Sequence, residues 1–492
     1  MLKIRKLLHH FPALSVRGSK EIDITGISSN SKTIGPGNLF IAKKGIHEDG
    51  ANYIPEAVSA GATSVLTDLY NPFLPSHVTQ LIYPKVHEIA PQIAALYYEF
   101  PSDSLFVIGV TGTNGKTTTT FLIRHLLSTL EAPCGLIGTI EWAIGTKIQP
   151  SQHTTPDTIT NYKLLREMIN ERCKSAAMEI SSHALDQGRV EGVRFQVAIF
   201  TNLTQDHLDY HMTMDRYAEA KGKLFEMLGP KEVALLNGDD PYMPFMKKLC
   251  KGPCLTYGFQ EGVDLLAKDV HLQAQGTVFT LVYQGKECFF YIPLIGRHNV
   301  SNALSAIGAA LVYGMHMEEI QEKIKHFSTV PGRLERVESS YPFYIFVDYA
   351  HTDDALANVL RTLQEWRDII APSGRIILVF GCGGERDVGK RAKMGRVATM
   401  LADYSIITSD NPRGEIPASI IEDILSGCTH PGRYSVEIDR KMAIEKAIAM
   451  AQPSDIILIA GKGHERYQTV GFQHLPFDDR EVAKEALSCT NL

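Results

Sequence analysis

The run Thr111-Gly112-Thr113-Asn114-Gly115-Lys116-Thr117-Thr118 holds the clearest chemistry in the chain. An apolar, β-branched stretch, Val107-Ile108-Gly109-Val110, precedes it, and an amphipathic one, Phe121 to Leu127, follows. Strand, glycine-bearing loop and helix in that order set backbone N–H groups and the positive end of a helix around an anion, which suits phosphate oxygens. Lys116 adds a positive charge at the β- and γ-phosphates, and the Thr117 hydroxyl offers a position for Mg²⁺. Common loops of this kind have a glycine five residues before Gly115, where this chain has Val110, so the spacing is a variant. The bland alternative is a Gly-Thr turn joining a strand to a helix.

Other polar residues cluster where apolar runs stop. Glu179 closes Ala176-Ala177-Met178 and leads into Ile180-Ser181-Ser182-His183. A carboxylate in an apolar strand is costly unless it is paired or bound to metal. Asp206-His207-Leu208-Asp209-Tyr210-His211 packs two histidines and two aspartates together. In His153-Thr154-Thr155-Pro156-Asp157 a binding role competes with a capping turn, with Thr155 as cap and Pro156 in the first helical turn. Lys221 lies in an ordinary amphipathic pattern, Tyr217 to Phe225, and reads locally as solvated. Asn299 and Asn302 share one side of a helix rich in small residues, where their amides either cap the helix or read a purine edge. The turns at Asn30-Ser31-Lys32 and Gly45 to Gly50 leave adjacent strand ends and, taken alone, read as surface turns.

In the last third, four strands end in polar groups: Asp348-Tyr349-Ala350-His351, Gly381 to Asp387, Ser409-Asp410-Asn411-Pro412-Arg413, and Gly461-Lys462-Gly463-His464-Glu465. Each alone is a credible turn. Together they bring Arg386, Arg413 and Lys462, with several carboxylates, to one edge of a sheet.

The elements that must position these residues follow from periodicity. Apolar strands alternating with longer helical segments imply mainly parallel sheets with helices on both faces and ligands at the carboxyl ends of the strands. Strands are expected at Ile22 to Ile27, Leu39 to Ala42, Ala176 to Ile180, Val197 to Phe200, Val233 to Leu236, Tyr344 to Val347, Arg375 to Phe380, Asp403 to Thr408 and Asp455 to Ala460. The fold class is α/β in three domains: a smaller N-terminal α/β unit (1–100), a central phosphate-loop unit with a doubly wound sheet (101–330), and a C-terminal Rossmann-like unit (331–492). Pro101 and Asp103 mark the first linker, and the central unit closes near Thr329-Val330.

A formal charge of −6 gives no polyanion signal, which argues against nucleic acid as the main partner. No run approaches the roughly 20 apolar residues that span a bilayer, and the first residues lead into no signal-like apolar stretch, so no membrane insertion and a cytoplasmic location are expected. Eight scattered cysteines do not form a disulfide framework, and Cys250 with Cys254 reads as two ordinary thiols.

Taken together, Thr111 to Thr118, the Glu179 and His207 segments, Asn299-x-x-Asn302, Arg333 and Asp348-Tyr349-Ala350-His351 resemble the Mur ligases, ATP-dependent amide ligases of peptidoglycan synthesis, and more distantly the folylpolyglutamate synthases. Met178 to Leu185 and Asp410-Asn411-Pro412-Arg413 sharpen the resemblance to members that add meso-diaminopimelate to UDP-N-acetylmuramoyl-L-alanyl-D-glutamate. That resemblance implies an acyl-phosphate intermediate. It assigns Lys116, Glu179, His207 and Lys221 to catalysis. Two Mg²⁺ ions are implied, held by Thr117, Glu179, His207 and Lys221, the last as a CO₂-derived carbamate. ATP would be held by Thr111 to Thr118, Asn299, Asn302, Arg333, Asp348 and His351. The UDP-substrate would meet Ser31 and the backbone of Ile46 to Glu48, then Thr154, Thr155, Ser181, Gln187 and Arg189. Diaminopimelate would meet Arg386, Asp410, Asn411, Pro412, Arg413, Gly461 and Glu465. A monomer is expected, closing on its substrates with Val330-Pro331 as the implied hinge. The chain departs from the family pattern at Asn30-Ser31-Lys32 (usually Asp-Ser-Arg), His153 (often Asn), Glu385 (often Asp) and Asp353 (often Pro). The rival readings are a lysine-adding ligase, a folylpolyglutamate synthase, and a nucleotide-binding scaffold without turnover.

Overall fold

The computed structural model describes residues 2–45 and 48–489. Ile46 and His47, whose backbone was expected beside uridine, lie outside the described residues. Among the described residues three large sheets arise from successive stretches of the chain, five strands near the N-terminus, eleven in the middle and six toward the C-terminus, with two two-stranded sheets beside them.

The phosphate-loop strand, Phe106–Thr111, lies at the heart of the eleven-stranded sheet. Ser175–Glu179 and Val197–Phe200 pair with it in parallel on its two sides. Cys134–Ile137 extends the parallel array on one side, and Val233–Asn237 then Cys254–Gly258 on the other. Antiparallel strands complete both edges. Chain order therefore reverses across Phe106–Thr111, and the crevice at its carboxyl end is where ligands of such sheets sit. Burial on both faces explains the unbroken apolar run. Val107 packs with Phe195 and Leu224 in one cluster, whereas Ile108 and Val110 pack with Leu122 and Ala303 in the other.

The C-terminal sheet is parallel through Tyr344–Asp348, Ile456–Ala460, Ile376–Phe380, Tyr404–Ile407 and Tyr434–Val436, with Glu335–Val337 antiparallel at its edge. The expected strands are present, most within a residue or two of their expected ends. Ile22 to Ile27 is the exception and divides into Asp23–Ile24 and Ile27–Ser28, which join different sheets. Gly26, at the break, lies against the Asn38 side chain with no room for a side chain of its own. Two departures from the family pattern keep their local role. The Asn30 side chain accepts from the Lys32 N–H and caps the short helix Ser31–Thr33, as an aspartate there would. Asp353 opens the helix Asp353–Ile370, a position where its charge favours the helix dipole and where proline is also at home.

The strand ends of the C-terminal sheet are tied by one fully buried ion pair. Arg440 meets Asp479 at 2.7 Å, with both side chains at 0 % exposure. Its remaining donors reach the carbonyls of Ser409 (3.4 Å) and Ala460 (2.9 Å). Asp479→Asn should cost about 3–5 kcal/mol, because it leaves a buried guanidinium without its counter-ion. Breaking the exposed Lys484–Glu481 pair should change stability by under about 1 kcal/mol. Urea unfolding followed by fluorescence distinguishes the two variants.

Candidate functional site

The loop after Phe106–Thr111 opens at Gly112 and closes at Gly115, which caps the helix Lys116–Leu127. Both glycines have positive φ, +149° and +86°. A side chain at Gly115 would collide with Asn302 Oδ1, so the glycine is what admits Asn302 to the loop. The unusual spacing has a simple cause: Val110 is still inside the buried strand, and the turn begins two residues later. Thr111 was expected among the ATP ligands, but it is buried within the strand. Its carbonyl accepts from the Thr201 N–H (3.0 Å), and its own hydroxyl has no partner. Thr118 is likewise buried, in the first turn of the helix. The backbone N–H groups of Thr113 and Asn114 are held by Asn202, through its carbonyl (2.9 Å) and its Oδ1 (2.9 Å).

Two ammonium groups meet at one carbonyl. Lys116 Nζ donates to Gly112 O (2.8 Å) and Thr113 O (2.8 Å), and Lys221 Nζ donates to the same Gly112 O at 2.7 Å. Lys221 is 1 % exposed, so the local reading of a solvated lysine is overturned. Its helix, Met214–Glu226, turns this side chain toward the loop while Tyr217 packs beneath it, 4.5 Å from ring centre to Nζ. Burial, then the charge of Lys116, hold the Lys221 ammonium well below the ordinary lysine range. Burial also lowers Lys116, with Glu179 and Asp206 opposing.

Glu179 has no exposure. Its carboxylate accepts from Thr117 Oγ1 (3.0 Å), Thr139 N (2.8 Å) and Thr139 Oγ1 (2.9 Å). Thr117 Oγ1 in turn accepts from Arg333 Nη2 at 3.1 Å, and Arg333 stacks on Tyr349 at 4.5 Å. Arg333 thus comes to the loop from the C-terminal part of the chain. Asp348 does not reach the loop: its two oxygens hold the N–H groups of Leu334 (2.6 Å) and Ala350 (2.7 Å), and so set the turn that presents Arg333. His351 bonds to Tyr349 O and lines the cleft. Asn299 and Asn302 do share a side, with Asn302 Nδ2 donating to Asn299 Oδ1 at 3.2 Å.

His207 adopts a left-handed backbone, φ 53°, at the start of a short helix and faces His183 at 4.9 Å. Burial pushes its imidazole down to about 4 against the opposing pull of Asp206, 3.4 Å away. A neutral ring is a donor of the kind metals take. Among the described residues no group of three or more histidine, cysteine, aspartate or glutamate side chains is arranged to hold a metal alone.

Thr155, Ser181, Gln187 and Arg189 form one network. Arg189 donates to Thr155 O (3.0 Å) and Gln187 Oε1 (2.7 Å), and the Ser181 N–H donates to Thr155 Oγ1 (3.0 Å). The capping expectation at Thr155 fails. Asp157 caps the helix Thr158–Asn170, while Thr155 donates to Glu179 O at 2.7 Å, and Pro156 lies before the helix. Thr154 joins through Thr139, hydroxyl to hydroxyl at 3.0 Å. Ser31 stands apart in the N-terminal unit, at the start of the short helix Ser31–Thr33 and bonded to Glu56 at 2.8 Å.

A cleft of about 920 Å³ runs between the central and C-terminal sheets. Thr154, His183 and His207 line one wall; Arg386, Asp410, Asn411, Arg413, Gly461 and Glu465 line the other. Arg413 is left-handed at φ 51° and anchored by its N–H to Thr469 O (3.1 Å) and by Nη1 to Gly384 O (2.6 Å). Such a strained backbone persists only where its surroundings over-determine it. Pro412 is buried behind it. Asp410 Oδ2 is buried without a partner.

Sequence reasoning missed three residues. Thr139 supplies two of the donors to Glu179, Asn202 holds the loop, and Asp354 accepts from both Asn114 Nδ2 (3.1 Å) and Thr204 Oγ1 (3.0 Å). Thr139 follows the end of Cys134–Ile137, so the rule that pointed to other strand ends would have found it. Thr139→Val removes one hydroxyl from a buried carboxylate. It should lower kcat of the ATP-dependent reaction about 10- to 100-fold, the equivalent of a charged hydrogen bond, with the fold intact by circular dichroism.

Three family models match the chain: Mur ligase family, catalytic domain over residues 23–98; Mur ligase middle domain over 110–310; and Mur ligase, glutamate ligase domain over 332–463. A UDP-N-acetylmuramoyl-L-alanyl-D-glutamate–2,6-diaminopimelate ligase of Gloeobacter violaceus is 42% identical over 476 residues, 96% of each chain. One of the same name from Chlamydia pneumoniae is 40% identical over 99% of each. A solved structure of a ligase with that name superposes with TM-score 0.68 at 31% identity, covering 99% of both chains. The MurF ligase of Thermotoga maritima in complex with ADP shares the fold, with TM-score 0.64 at 18% identity, covering 94% of this chain and 96% of that one. The matches run nearly the full length of the chain, and the chain belongs to the Mur ligase family, the ATP-dependent amide ligases.

Proposed function

We propose that this protein joins an amine of meso-diaminopimelate to the D-glutamyl carboxylate of UDP-N-acetylmuramoyl-L-alanyl-D-glutamate, converting ATP to ADP and phosphate, in peptidoglycan assembly. The observation that carries the reading is the cleft, in which an arginine-bearing, carboxylate-bearing wall faces the wall of the central unit that carries Thr154, His183 and His207. An amino acid with two ammonium and two carboxylate groups has complementary chemistry. The Arg413 fork suits the distal carboxylate, Arg386 the other end, and Asp410 Oδ2, buried without a donor, suits an ammonium. The relatives named above for 2,6-diaminopimelate support the choice.

In this reading residues 1–100 bind the UDP part through Ser31, 101–330 bind ATP, and 331–492 bind the amino acid. Thr154, Thr155, Ser181, Gln187 and Arg189 follow the nucleotide substrate toward the phosphate loop. Pro331, on the cleft wall, serves with Val330 as the hinge of closure. The enzyme works as a monomer in the cytoplasm; among the described residues no helix is long and apolar enough to cross a membrane.

The glutamyl carboxylate oxygen attacks the γ-phosphorus of ATP and ADP leaves. The amine of diaminopimelate then attacks the acyl carbon, phosphate leaves, and the amine loses a proton. Both steps gather negative charge beside Lys116 and Arg333, which are fixed in place before reaction, and this is where electrostatic catalysis is strongest. The donors present fit Mg²⁺: Thr117 hydroxyl and Glu179 carboxylate are hard oxygen ligands 3.0 Å apart, and this ion commonly completes its shell with phosphate and water. Bound there, Mg²⁺ would neutralise phosphate charge. A second ion would draw on Glu179, His207 and Lys221. The depressed ammonium of Lys221 supports the carbamate, because only the neutral amine can add to CO₂.

Two measurements test the reading. With ATP and the UDP-dipeptide, phosphate release should be at least about 100-fold faster with meso-diaminopimelate than with L-lysine, and Arg413→Lys should shrink that ratio about 10-fold or more, since a partly desolvated guanidinium left without its carboxylate partner discriminates by a few kcal/mol. Faster release with lysine would select the lysine-adding alternative. For Lys221, protein equilibrated with ¹³C-bicarbonate should show a carbamate carbon resonance that is absent in Lys221→Ala, and the variant should lose about 100-fold or more in kcat. An unmodified Lys221 in the active enzyme would refute the carbamate.

A further inference from the structure

Lys462 follows the glycine at the end of Ile456–Ala460, and its side chain has 0 % exposure. It therefore touches no ligand in the cleft, yet both of its partners line that cleft. Nζ donates to Asn411 Oδ1 (3.0 Å) and to Glu465 Oε2 (3.0 Å). The triangle closes with Asn411 Nδ2 donating to the same Oε2 at 2.8 Å. Thr469 N adds a second donor to Asn411 Oδ1 at 2.9 Å.

This arrangement fixes two orientations. A flipped Asn411 amide would turn its NH₂ toward an ammonium and a backbone N–H, three donors facing one another, so Lys462 and Thr469 together dictate which way the amide points. Glu465 has Oε2 held by two donors, and no protein donor among the described residues reaches Oε1. The carboxylate is thus pinned by one oxygen, with the other available at the cleft surface. A lysine buried without exposure is costly unless paired, so its retention here needs the carboxylate as counter-ion.

We propose that Lys462 is a positioning residue for the amino-acid substrate: it aims Glu465 and Asn411 at an ammonium group of the incoming diamino acid and thereby sets affinity for that substrate alone. The inference rests on the reading of the cleft as the diaminopimelate site. Nothing in the triangle touches the phosphate loop, whose partners include Asn202, Asp354, Glu179, Arg333 and Lys221. Its loss should accordingly leave the other two substrates unaffected.

The test is steady-state kinetics on the full-length enzyme with each substrate varied in turn. Lys462→Met should raise KM for diaminopimelate about 10- to 100-fold, the loss of charge-assisted hydrogen bonds, with KM for ATP and the UDP-dipeptide within about 2-fold. Glu465→Gln should raise the same KM. Because Lys462 acts through Glu465, the double variant should match Glu465→Gln within about 3-fold rather than multiply the two effects. The double variant removes the buried ammonium and its counter-ion at once, and it still gives the comparison with Glu465→Gln if Lys462→Met alone does not fold. Equal rises in all three KM values, or multiplied effects in the double variant, would overturn the proposal. If wild-type enzyme ligates lysine instead, the substrate reading fails, and the same KM split is then read with lysine, whose second ammonium makes the same demand.

Discussion

A carboxylate with no exposure must be surrounded by donors, and that requirement at Glu179 organises the centre of this molecule. The donors come from separate elements: Thr117 from the first turn of the helix after the phosphate loop, and Thr139 from the turn after a neighbouring strand. Arg333, from the C-terminal part, then donates to Thr117. One carboxylate thereby couples the loop, the sheet and the second lobe. The same oxygens are the hard donors a phosphate-bound cation would use, so the group that holds the site together is also the group proposed to work in it.

The sequence made the architecture legible because its strands are buried on both faces and read as continuous apolar runs whose polar residues fall at the ends. Val197 to Phe200 needed no adjustment, and the phosphate-loop junction formed as strand, loop and helix. What could not be read locally was whatever depends on a partner distant in the chain. Lys221 has the setting of a surface lysine on an amphipathic helix and becomes buried because Gly112, about a hundred residues earlier, supplies its acceptor. Asp348, assigned to ATP by the resemblance, also holds two backbone N–H groups that become neighbours only once the turn at Leu334 is folded. Thr155 had the residue type of a cap, yet Asp157, two residues on, accepts the helix N–H groups.

The cleft between the lobes depends on contacts that are individually small and placed on either side of the phosphate loop. Asp354 accepts from Asn114 and Thr204, Arg333 donates to Thr117, and Lys393 donates to Gln205 at 2.9 Å. None of these is a large apolar interface, and polar contacts of this kind exchange readily with water, which suits the hinge proposed at Val330-Pro331. Arg333 stands at the loop through these contacts, with the Arg413 wall across the cleft from His207.

The charge balance at the loop explains why the state of Lys221 matters so much. With Lys221 as an ammonium, it and Lys116 crowd one carbonyl oxygen and repel each other, and burial denies either of them water. Neutralising Lys221 relieves the repulsion. Converting it to a carbamate goes further and inverts the sign, placing an anion between Lys116 and the Asp206–His207 pair. An anion there cannot stand unpaired in a buried setting, and Lys116 is already bonded to the Gly112 and Thr113 carbonyls. A second divalent cation is the partner that such a charge requires. The modification and the metal are therefore one proposal: a carbamate without an ion, or a second ion beside an ammonium, would each leave the site with a buried charge uncompensated.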